Sequence, residues 1–95
     1  METEHRFNLI NGEFTPAEAR NILFVLVNSK IKFHQTESFG IAVRSSGDTS
    51  FHDNRIKQLT QTNDDIRKVL DYTTANKIKL KINGTIEIKF VNEQG

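Results

Sequence analysis

Cysteine is absent from this 95-residue chain. A chain without cysteine forms no disulfide, no thiolate zinc site and no cysteine nucleophile. A single proline and the lack of low-complexity segments exclude a proline-rich linker. The longest apolar run, residues 22–27, is far shorter than the roughly 20 residues that span a bilayer, so we expect no membrane partner.

Size and composition predict one small domain over residues 1–95. The hydrophobic fraction of 36% and the charged fraction of 26% are typical of a folded globule rather than of a disordered tail. Residues 1–6 are polar and acidic and lack the basic and apolar regions of a signal peptide, so we expect a cytoplasmic protein. The net charge of +1 argues neither for nor against a polyanionic partner.

The clearest pattern in the chain lies in residues 77–91. Apolar side chains alternate with polar ones on both sides of Asn83-Gly84, a dipeptide typical of hairpin turns: Ile78, Leu80 and Ile82 precede it, and Ile86, Ile88 and Phe90 follow it. We therefore predict a C-terminal β-hairpin. A three-residue turn with Gly84 in the left-handed conformation would pair Leu80 with Ile86 and keep each face uniform.

Two further strands are predicted in the first third of the chain. Phe7 and Leu9 alternate with polar neighbours in residues 6–12, and the same alternation returns in residues 30–34. A helix between two strands at this spacing indicates a right-handed crossover of parallel strands.

The segment between these strands opens with a helix start. Thr15, Pro16 and Glu18 have the spacing of an N-cap, a proline at the first helical position and a capping-box glutamate, which predicts a helix to about Asn28. Gly12, Thr15 and Pro16 are also similar in spacing to the Gly-x-x-Cys-Pro motif of small bacterial sulfur-carrier proteins. Thr15 stands where the sulfur-carrying cysteine would be, so the sulfur chemistry cannot be carried over, and capping alone accounts for Thr15 and Pro16.

The second half of the chain leaves alternatives open. Residues 35–52 form either a long loop or a loop with a strand around residues 41–44, with a turn at residues 45–48. Side chains at helical spacing then follow: Ile56, Leu59, Asn63, Ile66, Leu70 and Thr73. They indicate either one bent helix or two helices, the second with an N-cap near Asn63. The predicted fold class is α+β, a two-layer sandwich in the order β-α-β-(β)-α-β-β, with both helices on one face of a mixed sheet.

In that layout, basic side chains collect on the sheet face that the helices leave open: Lys30, Lys32, His34, Lys77, Lys79, Lys81 and Lys89. Such a surface predicts binding of RNA, DNA or another polyanion. The competing interpretation is that lysines keep an open sheet soluble. No aromatic residue interleaves with these lysines to stack on bases.

A second candidate site is Phe24. It lies about 150° around the predicted helix from the centre of that helix's apolar side. Either Phe39, Ile41 or Phe51 covers it, or it contacts a partner protein or a second copy of the chain. The predicted partner interface is therefore Phe24, Phe39 and Phe51.

The middle of the chain also contains residue types that serve catalysis and metal binding: His34, Glu37, Ser45, Ser46, Asp48, His52 and Asp53. Their spacing matches no zinc site, nucleophile elbow or phosphate loop. We predict no catalytic residue, no cofactor and no metal. The predicted function is a small non-enzymatic protein-interaction or self-association domain, acting on a protein partner or as a homodimer, with polyanion binding as the alternative.

Overall fold

The computed structural model describes residues 2–93, which form two strands and two helices. They follow in the order β1 (Glu4–Phe14), α1 (Pro16–Ser45), α2 (Ser50–Ala75) and β2 (Leu80–Lys89). β1 and β2 pair antiparallel in a two-stranded sheet, here called the ribbon, and α1 and α2 form a helical hairpin. The α+β class is confirmed, whereas a mixed sheet of several strands is not found in this part of the chain.

The start of α1 follows the predicted capping box. The hydroxyl of Thr15 accepts a hydrogen bond from the backbone N–H of Glu18 at 3.2 Å, and the Glu18 carboxylate accepts one from the N–H of Thr15 at 2.9 Å. These bonds satisfy two of the backbone donors that every helix start leaves free. The helix ends at Ser45, and Ser46 has the left-handed conformation with φ of 50°. The predicted turn at residues 45–48 thus lies at the connection between the helices.

The strand predicted at residues 30–34 is wrong, because α1 continues through it. Both alternatives for residues 35–52, a long loop or a loop with a strand at residues 41–44, are wrong as well, because α1 runs to Ser45 and α2 begins at Ser50. Ile31 and His34 are three residues apart, so on a helix they lie on the same side, and both are shielded from solvent. Five alternating residues therefore fit this helix as well as they fit a strand. The predicted helix end near Asn28 fails for a related reason: the next glycine is Gly40, and no proline follows Pro16 to stop the helix.

The two helices pack through a regular row of shielded side chains, here called the helix interface. Its α1 members are Ala19, Leu23, Val27, Ile31, His34, Ser38 and Ile41. Its α2 members are His52, Ile56, Leu59, Asn63, Ile66, Leu70 and Thr73. The three- and four-residue spacing is that of antiparallel helices packed side by side. The predicted period of α2 is confirmed, and α2 is one helix.

Asn63 is not the cap of a further helix, because it lies within α2 and faces α1. Its Nδ2 donates a hydrogen bond to Oδ1 of Asn28 at 2.7 Å. Within residues 2–93, the buried Oδ1 of Asn63 has no hydrogen-bond partner. The helix interface therefore contains a polar layer that is only half satisfied.

The ribbon has one apolar and one polar face. Residues directly opposite each other in an antiparallel pair share a face, and Leu9 is an extra residue that shifts the register between Asn8 and Ile10. The apolar face carries the pairs Phe14–Leu80, Gly12–Ile82, Ile10–Gly84, Phe7–Ile86 and His5–Ile88. The polar face carries Glu13–Lys81, Asn11–Asn83, Asn8–Thr85, Arg6–Glu87 and Glu4–Lys89. The bulge at Leu9 keeps both faces uniform along the whole ribbon.

The predicted C-terminal hairpin is wrong, because Asn83-Gly84 lies in the middle of a single strand. Gly84 is paired with Ile10 of β1 and is not in the left-handed conformation. A left-handed residue instead occurs at Lys77, where α2 ends and the N–H of Ile78 donates to the carbonyl of Thr73 at 2.9 Å. Pairing β2 with β1 gives backbone partners to strands of eleven and ten residues, whereas a hairpin would leave β1 without a partner.

The molecule is thin and has a small core. Its Cα atoms extend over 52 × 37 × 14 Å. Among the described residues, the fully shielded apolar side chains are Ala19 and Leu70, both in the helix interface. Neither α1 nor α2 has the length and apolarity required of a membrane-crossing helix.

Candidate interaction surface

The apolar face of the ribbon is covered near the helices and open farther away. Leu80 lines a groove together with Leu23 and Leu70, so this end of the ribbon packs on the helical hairpin. Ile10 lies beside Ile22 in a second groove. The far end of the same face is open to solvent and is here called the distal patch: His5, Phe7, Ile86, Ile88 and Phe90.

The distal patch is well ordered by its own contacts. The His5 ring stacks on Phe7 with centroids 6.4 Å apart and lies 5.4 Å from Phe90. Phe90 extends the ladder beyond β2, because its N–H donates to the carbonyl of Thr3 at 2.8 Å. Phe7 and Phe90 are nevertheless 55% and 51% exposed. Continuous apolar patches of this kind are typical of surfaces that contact another molecule.

Part of the charge on the polar face of the ribbon is paired within that face. The Glu87 carboxylate forms ion pairs with Arg6 at 3.5 Å and with Lys89 at 3.1 Å. The side-chain amide of Asn8 donates a hydrogen bond to the side-chain oxygen of Asn83 at 2.9 Å. Cross-strand pairs of opposite charge stabilise a ribbon by a few tenths of a kcal/mol to about 1 kcal/mol each. This face is suited to water, so the candidate interaction surface of the ribbon is its other face.

The helices present further apolar surface. On α1, Val25, Phe33 and Val43 lie about 100° or more around the helix from the helix interface, and all three are exposed. The ribbon reaches this side of α1 near Val25, where Leu9 and Ile10 line the shared groove. The open apolar surface therefore belongs to the ribbon and to α1 together.

The predicted interface residue Phe24 is covered by cations. The guanidinium groups of Arg20 and Arg67 lie 5.7 and 5.6 Å from the centre of its ring, within the range of cation–π attraction. Asp71 accepts a hydrogen bond from Arg20 at 3.2 Å and Asp64 one from Arg67 at 3.0 Å, so both arginines are held in place. The expectation that the middle segment covers Phe24 is wrong.

The other two predicted interface residues lie near the connection between the helices. Phe39 is 71% exposed and Phe51 is 67% exposed. Phe51 lies against His34, with ring centroids 6.1 Å apart. Phe24 lies fifteen residues before Phe39 on α1 and is therefore remote from it along the helix. Their exposure is compatible with a contact role, which stays a prediction.

A pair of histidines lies in the helix interface near the same connection. The Nδ1 atoms of His34 and His52 are 2.8 Å apart, so one imidazole donates a hydrogen bond to the other. Phe33 and Phe51 meet the His34 ring edge-on. His34 is 97% shielded, and its Nε2 finds no hydrogen-bond partner in residues 2–93.

This environment lowers the pKa of His34 below its ordinary value. Burial is the main cause, because a shielded imidazolium loses its hydration. The neighbouring Lys30, His52 and Arg55 lower the pKa further, against a smaller opposing effect of Glu37. The lowered pKa favours the neutral form of His34 at neutral pH.

Other polar residues of the middle segment form caps. Asp53 accepts hydrogen bonds from Thr49 at 2.7 Å and from Ser38 at 2.8 Å, and these two bonds lower the pKa of its carboxyl group. Asp48 accepts a hydrogen bond from the N–H of Ser50 at 2.8 Å, and the side chain of Ser50, followed by this backbone N–H, lowers the pKa of that carboxyl group. The Ser38 hydroxyl thus donates its hydrogen bond to a carboxylate rather than to a histidine. This is not the arrangement of an activated serine nucleophile. Across residues 2–93, no group of three or more His, Cys, Asp or Glu side chains is placed to hold a metal ion.

The predicted basic sheet face does not form. Lys30, Lys32 and His34 belong to α1, and Lys77 and Lys79 precede β2. The remaining two lysines lie on the polar face of the ribbon, where Lys81 is opposite Glu13 and Lys89 is opposite Glu4. The predicted placement is wrong because the segment at residues 30–34 is helical. Polyanion binding by these residues stays a prediction.

Comparisons with known proteins give no relative: no family model, no curated protein and no solved structure matches the chain. The function of the chain therefore has to be inferred from its own geometry.

The sequence reasoning placed Phe7, Ile88 and Phe90 in a covered core and so missed the distal patch. The apolar residues keep the same parity through Asn83-Gly84, at positions 80, 82, 86, 88 and 90, as one uninterrupted strand requires. A two-residue hairpin turn would have broken this parity across the strands, but the predicted three-residue turn preserves it, so the parity fits both a hairpin and one strand.

Proposed function

We propose that this chain is a non-enzymatic association domain that reaches its stable fold only in complex with another protein chain. The observation that carries the proposal is its accessible surface of 7539 Å². A compact monomer of 10.9 kDa is expected to expose about 5,600 Å². The excess of about 1,900 Å² is surface that a compact monomer of this size would bury.

The shape supports the same proposal. The radius of gyration is 17.1 Å, against about 12 Å for a compact domain of this length. Domains bury the apolar sides of helices and sheets against a second layer, but here the distal patch and the outer side of α1 face solvent.

The composition of the open surface favours a protein partner. Five of the seven phenylalanines are more than a third exposed: Phe7, Phe33, Phe39, Phe51 and Phe90. Phenylalanine is among the residue types most often buried, and aromatic residues are enriched in protein interfaces. The two grooves between the ribbon and the helices are shallow and open rather than the enclosed pocket that a small substrate requires.

The test is to purify the chain alone and measure its mass and its unfolding over a range of protein concentrations. Sedimentation equilibrium gives the mass, and circular dichroism during urea titration gives the unfolding midpoint. We expect either an assembly heavier than 10.9 kDa, whose midpoint rises with protein concentration, or a chain that lacks a cooperative transition. A 10.9-kDa monomer with a sharp, concentration-independent transition contradicts the proposal.

A further inference from the structure

On the basis of the proposed association function, we infer that the chain that covers this surface is a second copy of the same chain, with the distal patch of the ribbon in the contact. His5, Phe7, Ile86, Ile88 and Phe90 form that patch, on the apolar side of the strand pair.

The area in excess fits a homodimer. Each chain exposes about 1,900 Å² more than a compact monomer of its mass, so two copies carry about 3,800 Å² in excess. Obligate homodimer interfaces bury about 2,000 to 5,000 Å² in total. One second copy is therefore enough to cover the surface.

The charge distribution favours a copy over a charged partner. The distal patch contains no lysine, arginine, aspartate or glutamate. The charges of the ribbon lie on its polar face, where Arg6 and Lys89 are both bound to Glu87. A two-fold contact brings the same surface of both copies together, so a patch free of charge meets no like charge there.

The chain also supplies the surface that a two-fold contact needs from the other copy. Apart from the ribbon, the outer side of α1 exposes Val25, Phe33 and Val43. In a two-fold dimer each copy gives and receives the same contacts, so apolar surface on both the ribbon and α1 can be buried twice. Both surfaces are found on the same chain, so a second copy supplies each of them.

The first experiment measures the mass of two neighbouring variants by sedimentation equilibrium. Ile86→Asp places a carboxylate in the distal patch, while Thr85→Asp places the same group on the polar face of the same strand. A dimer loses two buried isoleucines in the first variant, so we expect its dissociation constant to rise about 100-fold or more. Thr85→Asp is expected to stay within about threefold of the wild type, because its side chain faces water in both states.

The second experiment keeps the surface apolar and does not depend on an added charge. Since the chain has no cysteine, Ile88→Cys and Lys89→Cys each provide one thiol, on the apolar and the polar face respectively. The rate of alkylation by iodoacetamide is measured from nanomolar to high micromolar protein concentration. We expect the thiol at position 88 to become at least tenfold slower as the dimer forms, and the thiol at position 89 to react at one rate throughout.

The outcomes separate this inference from the proposed function. A chain that is unfolded alone leaves the association function in place and overturns the second copy as partner. A dimer that survives Ile86→Asp, with an alkylation rate at position 88 that is independent of concentration, overturns the placement of the distal patch in the contact. A folded monomer overturns both. A dimer with concentration-dependent protection at position 88 supports both.

Discussion

Replacing Asn63 by leucine is expected to stabilise the helical hairpin. The side chain of Asn63 lies in the helix interface, where its Oδ1 is buried without a hydrogen-bond partner in residues 2–93. Its Nδ2 donates to Asn28, whose side chain is exposed and can return to water. Leucine has the same branched shape as asparagine, so it can occupy the site without rearranging its neighbours.

The magnitude follows from three contributions. Removing an unsatisfied buried carbonyl gains about 1–3 kcal/mol, and losing the hydrogen bond to Asn28 costs about 0.5–1.5 kcal/mol. Half-burying a leucine side chain gains about 1 kcal/mol. The net expectation for Asn63→Leu is an increase of about 2 kcal/mol per chain in the free energy of unfolding.

The assay is urea denaturation followed by circular dichroism, with all variants at one protein concentration. Asn54→Leu is the matched control, because Asn54 is an exposed residue of the same helix. In Asn54→Leu only the higher helix propensity of leucine acts, which raises the free energy of unfolding by a few tenths of a kcal/mol. An Asn63→Leu variant that is less stable than the wild type, or no more stable than Asn54→Leu, would refute the assignment of Asn63 as an unsatisfied polar layer.

Two further predictions concern the helix start and the histidine pair. Thr15→Ala removes the capping box and is expected to lower the free energy of unfolding by about 1 kcal/mol. Thr36→Ala, at an exposed position of α1, should change the free energy of unfolding by less than about 0.5 kcal/mol. Equal effects of the two substitutions in a thermal melt would contradict this prediction. Because the pKa of His34 is lowered in the folded state, the unfolded chain takes up its proton at higher pH, so stability is complete above pH 6.5 and declines as the pH falls from there towards the folded pKa. His34→Gln should flatten the urea midpoint over this pH range while Thr36→Ala retains the wild-type decline, and an unchanged slope in His34→Gln would show that the decline has another origin.

Local signals were reliable where the chemistry is local. Thr15 and Glu18 form the predicted capping box because both partners lie within one helical turn. The period from Ile56 to Thr73 predicted the buried side of α2 because six positions at helical spacing exceed what a strand can imitate. In both cases the residues that decide the structure are neighbours in sequence.

Patterns that depend on distant partners misled the sequence reading. Residues 30–34 alternate as in a strand, yet their environment is set by α2, with His52 against His34. Asn83-Gly84 has the composition of a turn, yet β1 lies opposite it and Asn8 donates to Asn83. The position of Phe24 between Arg20 and Arg67 likewise depends on α2, which no local pattern around Phe24 could reveal.

The sequence by itself determined the α+β class, the capped start of α1, the turn between the helices and the buried side of α2, because each follows from hydrogen bonds and side-chain periods within a few residues. Only the tertiary structure decided that the two ends of the chain pair as one ribbon and that the apolar residues at its far end stay open. Strand pairing between residues more than 60 positions apart depends on which backbone groups find partners in space, and an apolar face is covered or open according to which elements reach it.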